Sequence, residues 1–218
     1  MAAIHGALGR VRITSSIATT STDAAGTLSS VDDRTLTIAN ATQRHWEPGT
    51  TMPRVYGATT AVEIGAYAVN HVQGTIVFAT DHSTAVAYKV DYAWFPTSCL
   101  GMCRSWSLDA SVDMADTTVF SCSTATDIGW RTYTPGLAGA TIKLGRLYGT
   151  SESSAPAFVD RQALGNPLYV ELWNSTGGDR FECYARIQGD AWANPVDGLL
   201  TEEVTLQADG PVYWTTST

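Results

Sequence analysis

The sequence predicts a mainly β fold, a β-sandwich or barrel with one short flanking helix and long loops or hairpins, and three observations carry that prediction. The first is residues 105–114, SWSLDASVDM, in which Trp106, Leu108, Ala110, Val112 and Met114 alternate with Ser105, Ser107, Asp109, Ser111 and Asp113. A period of two sustained over that length describes a strand with one packed and one wet face. The second is the return of the same pattern. Phe181, Cys183, Ala185 and Ile187 alternate with Arg180, Glu182, Tyr184 and Arg186, and residues 168–173 and 204–208 read as further strands. The third is the scarcity of helical periodicity. Only residues 153–164 suit a helix, with Pro156 near the first turn and Gly165 past the end, the positions where those residues are best tolerated. Many strands with little helix leave sheet edges that barrel closure or pairing between subunits must satisfy.

In chain order, RVRITSSI from Arg10 suggests a first short strand, and the Ser/Thr/Ala/Gly run at 14–30 has so little to bury that it reads as a long loop or arm. Residues 34–38 suggest a strand. Residues 39–52 read as a loop with a turn at Pro48-Gly49, in which His45 serves packing or intersubunit contact at the surface. Residues 61–64, 67–69, 75–78 and 84–95 form a meander. Its last member places Val86, Tyr88, Val90, Tyr92 and Trp94 on one face, with Lys89 and Asp91 opposite, and is long enough to leave its sheet as an arm or hairpin until Pro96 stops it. A boundary near 96–101 divides the chain into 1–98, an N-terminal arm and β-meander either separate or integrated with the core, and 99–218, the main β domain. Beyond Met114, the Gly, Pro and Thr content favours a loop between Cys122 and Gly139, after which residues 141–148 resume as a strand. The predicted core side chains are Trp106, Leu108, Val112, Phe181, Cys183 and Ile187.

The chain has 218 residues, 44 % hydrophobic and 16 % charged, which suits one packed domain or two small ones and excludes disorder. Of its net charge of -8, nearly all lies in the second half: residues 1–98 hold six basic and seven acidic side chains, residues 99–218 seven and fourteen. Such a balance disfavours tight wrapping of nucleic acid. The N-terminal MAAIHGALGR lacks a basic region ahead of a continuous apolar run, so no secretory signal is expected, and no stretch is apolar and long enough to cross a membrane. Cys99, Cys103, Cys122 and Cys183 lack zinc-knuckle spacing and read as small, buried or half-buried residues of a reducing compartment. His5, His45, His71 and His82 form no HExxH, and neither GxSxG nor GxxxxGK[ST] occurs, so no enzyme, metal or cofactor is expected. Seven tryptophans and nine tyrosines leave a carbohydrate-binding β-sandwich as one alternative.

The order SLDASVDMADTTVF, GW at 129–130, PGL at 135–137, a short helical segment, LYVELWN, FECYARIQGD and LLTEEVTLQADGPVYW resembles the major tail tube proteins of long-tailed bacteriophages over roughly residues 99–214. YAVNHVQGTIVF is similar to short β-meanders of phage structural proteins. The resemblance implies a virion tail protein, assembled in the host cytoplasm into stacked homo-oligomeric rings, usually hexameric. Hairpins of neighbouring subunits would join into an inner β-barrel, and arms would connect successive rings. Tape-measure and tail-terminator proteins are the further partners it implies, and DNA would pass transiently during genome ejection. In that setting Asp109, Asp113 and Asp91 are the candidate lumen-facing residues, because carboxylates along the channel would repel phosphate. A capsid decoration protein or a tail terminator is the nearer alternative.

Overall fold

The computed structural model describes residues 10–15, 18–29, 31–48, 53–57, 59, 63–84, 86–101, 103–116, 133–147, 167–174, 178–193 and 200–216. Among the described residues fourteen strands build two strongly curled half-barrel sheets, and the one helical element is a single 3-10 turn at Ala41–Gln43. The helix expected at 153–164, Cys122 and most of the loop after it lie outside the described residues.

The smaller sheet contains β2 (Thr19–Leu28), β3 (Thr35–Ile38), β4 (Arg54–Gly57), β5 (Tyr67–Asn70), β6 (Thr75–Phe78) and β7 (Tyr88–Trp94), in the order β4-β7-β2-β3-β6-β5. Its inner face holds Leu28, Leu36, Ile38, Trp46, Val55, Ile76, Phe78, Tyr88, Val90 and Tyr92. Curling brings its two edges together: Ile64 N–H donates to Val55 O (2.8 Å), and the Tyr67 hydroxyl donates to Pro53 O.

Two expectations for this region are corrected here. The Ser/Thr/Ala/Gly run is largely strand β2, paired with both β7 and β3. Its side chains contribute little burial of their own, but Gly26 leaves room for Leu36, whose Cδ1 lies 3.0 Å from where a glycine Cβ would be. Neighbouring strands therefore supply the apolar cover that the run itself lacks. Likewise β7 does not leave its sheet. It is paired on both sides, by β2 and β4, and its Tyr88, Val90 and Tyr92 are buried because they face the inside of the curl. Val86 lies before the strand and is exposed.

The larger sheet has eight strands. Its main path runs β8 (Thr97–Cys99), β1 (Arg10–Thr14), β11 (Leu168–Trp173), β12 (Arg180–Ala193), β13 (Thr201–Ala208), β10 (Tyr133–Leu147), β9 (Cys103–Asp116), and β14 (Tyr213–Thr215) pairs with β12 off that path. The edge strands β8 and β9 follow one another in the chain, and Leu100 between them donates its N–H to Val11 O (2.8 Å), extending the β8–β1 ladder. The rings of Trp106 on β9 and Phe181 on β12 lie 6.3 Å apart. In a flat sheet, strands three places apart would be separated by about 14 Å, so the sheet must curl. Inside it sit Val11, Ile13, Ile142, Leu144, Leu168, Val170, Leu172, Cys183, Val204 and Leu206.

Strand β11 is buried on both faces. Leu168, Val170 and Leu172 face the larger core, while Tyr169 and Glu171 face the smaller sheet. At that joint His45 stacks on Tyr169 at 4.0 Å, Phe95 and Tyr184 approach within 6.2 Å, and the Tyr184 hydroxyl donates to Trp46 O. His45 is thus an interior joint residue, only 7 % exposed, and not a surface one.

Candidate assembly interface

The feature that the two cores leave unexplained is the hairpin β9–β10. Its base belongs to the larger sheet: Thr141 to Leu147 pair with β13, and Leu144 and Ile142, opposite Trp106 and Leu108, are fully buried. Its outer part does not. The ladder with β13 begins at Thr141, where Gln207 closes it by accepting from Thr141 Oγ1 (3.2 Å) and donating to Ala140 O (3.0 Å). Beyond that point β9 and β10 pair with each other alone among the described residues, and both faces of Asp109–Asp116 and Tyr133–Gly139 are exposed. A two-stranded ribbon with no third strand and no packed face is marginal in water, and its outer backbone edges are templates for further strands.

The alternation that identifies β9 in the sequence continues along the projection and makes it two-sided. On one side stand Ala110, Val112 and Met114 with Ala140, Ala138 and Pro135 across from them; on the other stand Asp109, Ser111 and Asp113 with Thr141 and Gly139. A bulge places Gly136 and Leu137 together opposite Asp113, and Leu137 is 82 % exposed. Only Gly is easily placed at 136, since a Cβ there would lie 3.3 Å from Asp113 O. Such bulges twist a ribbon and re-aim its side chains. An apolar groove of about 440 Å³ runs under the projection, between Ala110, Val112 and Ala138 and the turn carrying Gly210, Pro211 and Val212.

The predicted core side chains divide along this geometry. Cys183 is buried, and burial pushes its thiol up to about 12. Trp106, Leu108, Phe181 and Ile187 pack against the core while remaining half-buried. Val112 is 45 % exposed and belongs to no core of the monomer, because it lies past the last strand that could cover it. Cys99 is exposed on edge strand β8, against the buried or half-buried reading, whereas Cys103 is half-buried.

The lumen candidates separate as well. Asp109 and Asp113 share the polar face of the projecting hairpin, whereas Asp91 lies on the smaller sheet, away from them in the fold. There Asp91 accepts the N–H of Asp23 (2.7 Å) at a bulge where Thr22 and Asp23 both oppose it and Asp23 has φ 57°. It takes up a backbone group that the ladder leaves unpaired. The groups that sequence reasoning missed are the outer half of β10, hidden because Pro135, Gly136 and Gly139 read as a loop, and the inward carboxylates of Asp190 and Glu202.

Among the described residues no group of three or more His, Cys, Asp or Glu could hold a metal ion, and no described helix is long and apolar enough to cross a membrane.

No protein-family model and no curated protein matches the chain. Among solved structures it is similar to a chain from the tail of an empty gene transfer agent particle, refined with sixfold helical symmetry, at 16 % identity and a TM-score of 0.46, covering 55 % of this chain and 87 % of that one. A chain from the virion of a native gene transfer agent particle matches at 14 % identity and a TM-score of 0.46, covering 55 % and 89 %. The SPP1 tail tube matches at 13 % identity and a TM-score of 0.39, covering 55 % and 69 %.

Proposed function

We propose that this chain is a tail-tube-like structural protein of a virus or virus-derived particle, and that it assembles by joining the β9–β10 hairpins of successive copies. The single observation that carries the reading is the projecting hairpin, with two open edges, one apolar and one acidic face. The outer edge of β10 and the outer edge of β9 lie on opposite sides of the same ribbon. Pairing one with the other between copies is therefore heterologous, and such contacts propagate into rings or filaments. Strands would alternate in direction around the ring, β10 of one copy running antiparallel to β9 of the next.

In this reading the rings are hexameric and stack into a tube. The apolar side of the ribbon, continuous with the larger core, turns toward the body of the ring, and the side with Asp109 and Asp113 turns toward the channel through which DNA passes. Tape-measure and terminator proteins would meet the assembled tube, which is built in the host cytoplasm and carried in the virion tail.

The experiment is a paired charge insertion on the ribbon. Val112→Lys with Met114→Lys changes two exposed side chains, so the monomer should melt within a few degrees of wild type while rings and tubes, followed by sedimentation and negative-stain microscopy, disappear. Wild-type protein that stays monomeric at high concentration, or a double variant that assembles as wild type does, would overturn the reading.

A further inference from the structure

At the end of the larger sheet farthest from the projecting ribbon, three charged side chains from three strands converge on the inside of the curl. Arg146 comes from β10, Glu202 from β13 directly across from it, and Asp190 from β12, diagonal to Glu202. Arg146 Nε lies 2.7 Å from Glu202 Oε2, and both side chains are fully buried. Both carboxylate oxygens of Asp190 are buried too, with no N–H or O–H donor on them among the described residues.

Two carboxylates and one guanidinium cannot balance. With both acids ionised the site would hold a net buried negative charge, an arrangement that desolvation strongly disfavours, and the usual response is to keep a proton. A shared proton also supplies the missing hydrogen bond, since one carboxyl can then donate to the other.

We propose that Asp190 and Glu202 form a proton-binding site that locks the β12–β13 end of the larger sheet when occupied and loosens it when empty. The site stands apart from the assembly ribbon and does not depend on its role. Burial, with Asp190 beside it, raises Glu202 to about 7 against the pull of Arg146, so the proton leaves in the neutral range. Among the described residues the charged groups facing Glu202 are Arg146 and Asp190. From β9 the Cys103 thiol lies across from Arg146 and feels its charge, while Lys143 and Glu203 occupy the opposite face of the sheet. Trp192 pairs directly with Glu202 and is 43 % exposed, so the locked end carries its own reporter.

The test compares wild type with Asp190→Asn, whose amide donates permanently where the acid needs a proton. At pH 5 the two should melt together. By pH 8 the variant should melt several degrees higher, and wild-type amides in 190–193 and 200–204 should lose at least tenfold in protection relative to pH 6, once the intrinsic pH dependence of exchange is divided out, with no such loss in the variant. Should the variant fail to fold, infrared spectroscopy of wild type decides: a protonated-carboxyl carbonyl band present at pH 6 should vanish with a midpoint near neutrality and be absent from Glu202→Gln. A melting difference that stays constant with pH, or no such band at pH 6, overturns the proposal.

Discussion

Single side chains decide the local geometry where the backbone is forced into unusual regions. Gly74 closes the turn between β5 and β6 at φ +60°, and a Cβ built on it would lie 2.5 Å from both the Cα and the carbonyl oxygen of Arg44. Neither contact can relax by rotating a side chain, so Gly74→Ala should cost at least about 2 kcal/mol. Gly65→Ala, which meets nothing within 4 Å, should cost well under half of that. Denaturant melts of the two variants check this, and equal losses would refute the close approach to Arg44. His45 makes a second prediction at this scale. Desolvation lowers it to about 4, against the upward pull of Glu171, so the folded chain holds it neutral. Below the ordinary value of 6.5 the unfolded chain binds a proton that the folded one refuses, and stability is lost as pH falls from 6.5 towards 4. The full effect is about 3 kcal/mol. Glu202 works in the opposite sense: its raised proton affinity contributes stability that is complete below 4.5 and lost as pH rises towards 7. The two slopes offset between these limits in wild type. His45→Phe, which keeps a ring on Tyr169, should therefore expose the Glu202 slope, gaining on wild type steadily from pH 7 to pH 4.5. Parallel melting curves for the two proteins would show that His45 does not titrate with folding.

At the scale of strands, the legible elements were those whose own side chains announce the pleat. Residues 168–173 and 75–78 were read to the residue, because Leu168, Val170 and Leu172, or Ile76 and Phe78, fill an interior by themselves. The alternation of Trp106 with Leu108 likewise made β9 plain, and its polar partners Asp109 and Asp113 fell on one face as the pattern required. Strand β2 was illegible for the converse reason. Its Thr, Ala and Gly residues are covered by Leu36 and Tyr92, which come from other strands, and no local pattern records a neighbour. The outer half of β10 was hidden because Pro135, Gly136 and Gly139 are turn formers everywhere except at an open edge or bulge, where the first needs no N–H partner and the others relieve crowding. The surroundings of Asp91 were hidden by the same logic. The pattern put it correctly beside Lys89, but the pattern could not reveal that β4 and β2 flank the strand, nor that its carboxylate satisfies the bulge at Asp23. Length was the misleading cue: 84–95 looked long enough to project, whereas the projecting element was the one whose second strand was disguised.

For the whole molecule, both sheets curl, the smaller until its edges meet through Ile64 and Val55 and the larger until Trp106 lies beside Phe181, and the aromatic joint of Tyr169, Tyr184, Phe95 and His45 covers the contact between them. That closure leaves the β9–β10 ribbon as an unsatisfied surface among the described residues, and it fixes the consequence of the charges there. If ribbons join edge to edge around a channel, Asp109 and Asp113 of every copy lie on one continuous face, diluted only by Ser111, Thr141 and Gly139. Lys143 stands at the base of the same face, two residues along β10 from the partner of Asp109, so the outer part of the wall is acidic while its foot is close to neutral. An acidic wall keeps phosphate mobile by repulsion. Reversing both aspartates to lysine changes each copy by four charge units, and stacking repeats that change at every ring. Assembly should survive, because the reversed residues are on the face opposite Val112 and Met114. DNA release should slow at least tenfold at low salt and recover as added salt screens the new contacts, which weaken steeply with ionic strength. The measurement is release from particles carrying the Asp109→Lys and Asp113→Lys double variant, at low and at high salt, after microscopy has shown tubes of normal length. Wild-type kinetics at both salts would place these carboxylates on the outer wall, and the ribbon would then have to join with its apolar side toward the channel.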